Sequence, residues 1–242
     1  MKMDEYINKL IEVINEALKY NHFVRDKTLQ EKTVQELESY ILAIHQNKFE
    51  AEQKGAPDFF LNRFFHFQCV MNSVKSSLNM WIKLKEGKNY DAWCSLQDAI
   101  DYIAYSQKVE EQMSGINDLQ KFFMDCEKTL FPVFPLYNSS GLLFKGGTCS
   151  ICGKPLEKCE HIEEYLYNGK ICKRINITDV AINHIAMVKE PDDKRCIIQE
   201  FQSEDGQMYD YMTMLPTKEK PHDSENKTIS GIVYNTHSLD IF

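Results

Sequence analysis

The cysteines of this 242-residue chain include a close-set group. Cys149 and Cys152 stand in the order Cys149, Ser150, Ile151, Cys152, Gly153. This spacing lets a tight knuckle aim two thiolates at one metal ion, and the glycine permits the positive φ such a turn often needs. Cys159 and His161 follow, with Glu160 between them. In extended backbone their side chains project to the same side and supply the remaining two corners of a tetrahedron. Cys172 is a fifth candidate. Four corners and five donors force a choice, which falls on Cys149, Cys152, Cys159 and His161, with Cys172 next in line. A lone Cys-x-x-Cys is common, but a second Cys-x-His pair at short range is not expected by chance. The competing readings are a reduced, metal-free thiol cluster and a redox pair. Four protein ligands leave no open position for water, so zinc bound there holds the fold and does no hydrolysis.

Other residues could do chemistry, each with a plainer role beside it. Arg63 and His66 are three apart on a predicted helix, so their side chains can meet on one face, as a general acid or base beside a cation requires. Helical-bundle ribonucleases of the HEPN type resemble this arrangement, but they usually place four to six residues between the Arg and the His, and here only two intervene. The plainer reading is a solvated Arg and a His at the core boundary. His184 falls in a β-prone stretch, where a surface or packing role is commoner than a ligand or base. Cys69, Cys94, Cys126 and Cys196 read as small core hydrophobes. Glu163 and Glu164 point apart in either regular structure and make a poor acid pair. There is no phosphate-cradling glycine loop, dinucleotide fingerprint or nucleophile elbow.

Helices must carry the first half. Ile7, Leu10, Ile11, Ile14, Ala17 and Leu18 recur at spacings of three and four. A second helix begins near Thr28, which with Glu31 makes a capping box, and buries Val34, Leu37, Ile41 and Ile44. Pro57 opens a third, carrying the run Phe59, Phe60, Phe64, Phe65, Phe67 and then Met71, Val74, Leu78, Trp81 and Ile82 until Gly87 stops it. The aromatic run covers more than one face, so either the helix is central to its bundle or one face meets a partner. A fourth stripe uses Trp93, Leu96, Ile100 and Ile103; a fifth uses Ile116, Leu119, Phe122, Phe123, Cys126 and Leu130. Pro132 and Pro135 then end the bundle. The stretch from Phe131 to Gly147, rich in Asn, Ser and Gly, reads as a connection.

After the cysteines the period becomes two. Ile175 with Ile177, Val180 with Ile182, Ile185 with Met187, and the run from Cys196 to Phe201 predict a small antiparallel sheet, with a turn at Glu190 to Asp193. From Ser203 the chain is mostly polar and reads as mobile. Ile229 to Phe242 regains apolar residues, as a docking peptide, an added strand or a frayed tail would.

The string Cys149-Ser-Ile-Cys152-Gly153, then Cys159-x-His161, then Tyr167-x-Gly169-x-x-Cys172 resembles a cysteine-rich module of poorly characterised phage, prophage and mobile-element proteins. The likeness covers roughly Cys149 to Cys196 and leaves the helical part untouched. In some such proteins the module precedes a β segment similar to that of phage prohead proteases; no matching Ser and His arrangement is present here.

The expected architecture is mainly α. An N-terminal helical bundle (1–130) is followed by a connection (131–146), a small zinc-stapled β module (147–202) and a mobile tail with a C-terminal apolar peptide (203–242). With 43 % hydrophobic residues the chain can bury one large core or two smaller ones. No run approaches the roughly 20 apolar residues needed to cross a bilayer, and the first residues alternate charge with apolar side chains, so a cytoplasmic protein with reduced thiols and no membrane contact is expected. A formal net charge of -8 disfavours nucleic acid on average. Lys154, Lys158, Lys170, Lys173 and Arg174 around the zinc offer a local exception, nearly cancelled by Glu157, Glu160, Glu163 and Glu164. The functional expectation is a non-enzymatic zinc-containing adaptor or assembly protein, phage- or antiphage-related, that binds protein partners. A HEPN-like ribonuclease and a nucleic-acid-binding zinc protein are the alternatives.

Overall fold

The computed structural model describes residues 3–109, 114–204, 206–218, 227–233 and 239. Among them are five helices, α1 (Met3–Leu18), α2 (Lys27–Gln53), α3 (Asp58–Lys85), α4 (Asn89–Gln107) and α5 (Ser114–Leu130), and seven strands. The strands are β1 (Tyr137–Cys149), β2 (Leu166–Tyr167), β3 (Lys170–Ile171), β4 (Arg174–Val188), β5 (Ile198–Gln202), β6 (Met208–Asp210) and β7 (Ile229–Gly231). Helix predominates, and no helix among the described residues is long and apolar enough to cross a membrane. The chain forms two compact units: 1–125 with 146–176 and 239–242, and 126–145 with 177–238. The boundaries therefore differ from a bundle followed by a separate β module, because the cysteine-rich segment belongs with the helices.

In the first unit α3 is the central element, packed against α1, α2 and α4. Its aromatic run explains this: Phe64, Phe65 and Phe67 are buried, as is nearly every residue from there to Ser77, while Phe59 at the mouth of the helix is exposed. The stripe of α1 is buried at Ile7, Leu10, Ile14 and Ala17, and that of α2 at Leu37, Ile41 and Ile44. The N-terminus of α2 is capped by Asp26, whose carboxylate accepts from the Leu29 amide at 3.1 Å, in place of the Thr28 and Glu31 box. This cap lies two residues before the box and satisfies the Leu29 amide instead of that of Glu31. At the C-terminus of α3, Gly87 has φ +71°. Its amide donates to Leu84 and the Lys88 amide to Lys83, so the glycine satisfies two terminal carbonyls and reverses the chain.

The cysteine-rich segment is seated on this bundle through a hairpin. β2 and β3 pair antiparallel around Asn168 and Gly169, both at positive φ, the turn whose twist suits a two-residue hairpin. Ile171 is fully buried with Phe65, Cys69 and Tyr102, and Leu166 and Leu239 pack against the same cluster. Polar groups close around it. The Lys48 ammonium, itself buried, donates at 3.0 Å to the Gly169 carbonyl and at 3.0 Å to the Gln68 side chain, 5.7 Å above the Phe65 ring. The Gly169 amide donates to Asn62 at 2.7 Å, and Lys170 pairs with Glu52 at 2.6 Å.

The second unit has its own core. Phe134 stacks on Tyr211 at 5.4 Å between ring centres and lies 5.7 Å from Tyr137, while Phe201 meets both Tyr209 and Tyr211. Ile197 and Met208 are buried beside them. Their sheet has the order β6-β5-β7, all antiparallel. Part of the segment read as a mobile tail thus supplies two strands, and Ile229–Gly231 is an added strand. Residues 205, 219–226, 234–238 and 240–242 of that segment lie outside the described set.

The largest departure is the supposed connection. Tyr137–Cys149 is a strand that pairs with β4 in a two-stranded ribbon, and β4 runs unbroken through what reads as several short strands. Two residues at positive φ, Asn176 (55°) and Asp179 (51°), interrupt its alternation. Gly141 has a reason of its own: a Cβ there would stand 2.2 Å from the His184 imidazole, which lies across the ribbon. His184 is accordingly a packing residue.

Two glycines provide a test of the hairpin's seat. A Cβ at Gly55 meets open space, so Gly55→Ala bears only the positive-φ strain of about 1 kcal/mol. A Cβ at Gly169 would lie 2.6 Å from the Leu61 carbonyl oxygen. Gly169→Ala is expected to lose a further 1–3 kcal/mol or so in denaturant unfolding. Equal losses would mean that the hairpin turn does not bear on α3.

Candidate metal centre

The site is assembled from the end of one strand, a knuckle, a helical turn and an extended pair. β1 delivers Cys149, whose amide donates to the Lys154 carbonyl at 2.8 Å while its carbonyl accepts from Gly153 at 2.8 Å. Gly153, at φ +71°, makes this reversal without strain. The Ile151 amide points at the Cys149 sulfur, 3.4 Å away. Pro155 then starts a short 3-10 turn, Leu156–Lys158, that ends on Cys159 in extended backbone (φ -112°, ψ 160°). From there His161 projects to the same side.

The result is a group of four donors: one ligand atom each from Cys149, Cys152, Cys159 and His161, all within 4.8 Å of one another. These are the four residues favoured by spacing, and such a group could hold a metal ion. Two further observations bear on the fit. The Nδ1 of His161 is buried and has no hydrogen-bond partner in the protein, an arrangement that costs free energy unless something else satisfies it. Its ring meets Tyr167 edge-on at 4.6 Å, and the Tyr167 hydroxyl in turn accepts from the Ile162 amide at 3.0 Å, so the imidazole is held in place. Cys149 is fully buried whereas Cys152 is exposed, so the group lies at the rim of the unit.

Cys172 comes close. Its sulfur is 3.6 Å from that of Cys149, and it is fully buried. The hairpin fixes it there, with its amide donating to Tyr165 and its carbonyl accepting from Glu164. Electrostatics separate the two thiols. Burial works against ionising Cys149, but amide donors from Cys152 and Ile151 and the Cys172 thiol overcome it and lower its pKa to about 6. Burial, with the hydrogen bond and charge of Cys149, pushes Cys172 up to about 12. One thiolate beside one thiol is the state of lowest cost for this pair.

Around the group the charged side chains are paired. Arg174 reaches Glu157 at 2.9 Å and Glu163 at 3.5 Å. Lys173 pairs with Glu164 and donates to the Tyr105 hydroxyl at 2.7 Å. Lys108 also pairs with Glu164, at 3.6 Å. Burial opposes ionisation of Glu164, but Lys173 and Lys108 outweigh it and hold the carboxyl below the usual range. Sequence reading sees a local near-cancellation of charge; it misses Lys48, Asn62 and Tyr105, whose roles depend on partners far along the chain.

Arg63 and His66 are not in a shared environment. Arg63 is exposed, while His66 is only 4 % exposed, its Nδ1 lying 2.9 Å from the Ser106 hydroxyl. Cys69, Cys126 and Cys196 are buried and Cys94 is half-buried; Cys69 lies in the apolar cluster with Phe65 and Ile171, where burial raises its thiol pKa far above the ordinary value.

Comparison with known protein families, curated proteins and solved structures finds no match to this chain.

The ligand set is open to direct measurement. Cys152→Ser is expected to abolish stoichiometric metal uptake, and Cys172→Ser to retain it, by elemental analysis of the purified proteins. Retention should fall as the pH is lowered, because every thiolate donor must compete with a proton. Loss of the metal in Cys172→Ser with retention in Cys159→Ser would move the fourth corner to Cys172.

Proposed function

We propose that this chain is a non-enzymatic adaptor or assembly protein, stapled by a structural zinc ion on Cys149, Cys152, Cys159 and His161, and acting through protein-protein contacts. The observation that carries the reading is the closed donor set: three thiols and one imidazole within 4.8 Å of one another. Soft sulfur donors with an imidazole suit tetrahedral zinc, and the orphaned His161 Nδ1 is the atom such an ion would satisfy. With four protein donors the ion has no position for a reacting water, so its contribution is to folding. The metal is needed because the segment around it has little interior of its own: β2 and β3 are two residues each.

The paired state of Lys170, Lys173 and Arg174 also favours a protein partner over nucleic acid, since phosphate would have to displace Glu52, Glu164, Glu157 and Glu163. The burial of His66 argues against a ribonuclease, which needs that imidazole at an RNA phosphate. Phage or antiphage context rests on the cysteine pattern alone.

Elemental analysis should find about one zinc per chain. Chelation should lower the unfolding temperature of the wild type and leave that of Cys152→Ser unchanged. A metal-free preparation with an undiminished unfolding transition would refute the staple, and a zinc-loaded protein that retains nothing from its native host in a pull-down would count against the adaptor role.

A further inference from the structure

Cys172 stands outside the four-donor group, yet it is fully buried with its sulfur 3.6 Å from that of Cys149. A buried cysteine usually serves as a small hydrophobe, as Cys69 does beside Phe65 and Ile171. Cys172 has its sulfur against a thiol instead, and that thiol is one of the four donors.

The contact is built into the backbone on both sides of Cys172. The Ser150 amide donates to the Lys173 carbonyl at 3.0 Å, and the Lys173 amide donates back to the Ser150 hydroxyl at 2.9 Å. The same hydroxyl donates to the Ile171 carbonyl at 3.3 Å. Residues 171 and 173 are thus tied to the neighbour of Cys149, and Cys172 is also fixed by the hairpin through Tyr165 and Glu164. The two thiols meet whether or not a metal is bound. A disulfide is about 2.05 Å long, so the sulfurs need to close by roughly 1.5 Å, within the swing of a side chain.

We propose that Cys149 and Cys172 are a reversible disulfide pair that competes with the metal: oxidation by a peroxide withdraws Cys149 from the donor set and releases the ion. Release depends on the zinc staple proposed above; the bond depends on the two thiols alone. The exposed Cys152, whose sulfur lies within 4.8 Å of that of Cys149, marks the side from which a small oxidant enters. The Cys149 thiolate attacks one oxygen of hydrogen peroxide and the O–O bond breaks, leaving a sulfenic acid and a hydroxide that takes up a proton to become water. The Cys172 sulfur then attacks the Cys149 sulfur. The S–O bond breaks, and the second oxygen leaves as water with the Cys172 proton. Two thiols have lost two electrons, and one peroxide has become two waters. Cys149 then has no thiolate to offer, and Cys152, Cys159 and His161 fall one donor short of a closed tetrahedral set.

Hydrogen peroxide added in equimolar amount to the zinc-loaded, full-length protein should release the ion to a chromogenic chelator, and a dithiol with fresh zinc should restore it. Tryptic mapping of the oxidised wild type identifies the bond without any variant. Cys149 and Cys152 share peptide 146–158, because trypsin does not cut between Lys154 and Pro155, while Cys172 lies in peptide 171–173. The expected product joins these two peptides through Cys149. Cys172→Ser should slow peroxide-driven release about tenfold or more. A bond confined to 146–158, or one that engages Cys159 in place of Cys172, overturns the pairing, as does release at equal rates with and without Cys172. Protein that purifies without zinc but forms the link between 146–158 and 171–173 overturns the staple and the release step, and upholds the bond.

Discussion

Four side chains from separate pieces of local structure converge on one point in the segment from Cys149 to His161. Cys149 arrives from a strand, Cys152 from a glycine-closed knuckle, Cys159 from a 3-10 turn and His161 from extended chain, and their donor atoms end within 4.8 Å of one another. Bringing two or three unshielded thiolates together is electrostatically unfavourable, as the split between Cys149 and Cys172 illustrates: one sulfur is pulled down to about 6 and its neighbour pushed to about 12. A divalent cation removes that conflict, and the free energy of its binding becomes free energy of folding.

The hairpin that follows the knuckle is held against the helices. Its turn, Asn168 and Gly169, presents a carbonyl and an amide to Lys48 and Asn62, groups from two different helices. A buried ammonium is tolerable only if its donors are matched, and here a backbone carbonyl and the Gln68 amide oxygen match two of them at 3.0 Å. The hairpin therefore does two things. It delivers Ile171 to the aromatic core of the bundle, and it satisfies a charge the bundle has buried.

How much of this could be read from the sequence follows from range. The stripes of α1, α2 and α4 are local and legible, as are the stop at Gly87 and the donor spacing of the knuckle, because each depends on residues a few positions apart. Lys48 and Gly169 are 121 positions apart and carry no local mark of their meeting. β1 is hidden by composition: its Asn, Ser and Gly residues speak for a loop, and only a partner strand whose His184 needs the space above Gly141 makes sense of the glycine. β4 is hidden by two residues at positive φ, since Asn176 and Asp179 reset the alternation and break one strand into apparent fragments. The reading of a separate β module fails for a related reason. Apolar periodicity says what an element buries, not against which neighbour, and Ile171 buries against Phe65.

The ribbon brings the same logic to the surface. A strand buried on one face shows alternation, and a strand buried on neither should be polar on both. β4 from Val180 to Met187 is neither: it is apolar on both faces and exposed. A lone two-stranded ribbon is marginally stable in water, and leaving Ile182 and Ile185 in solvent adds a hydration cost on each side without any compensating charge.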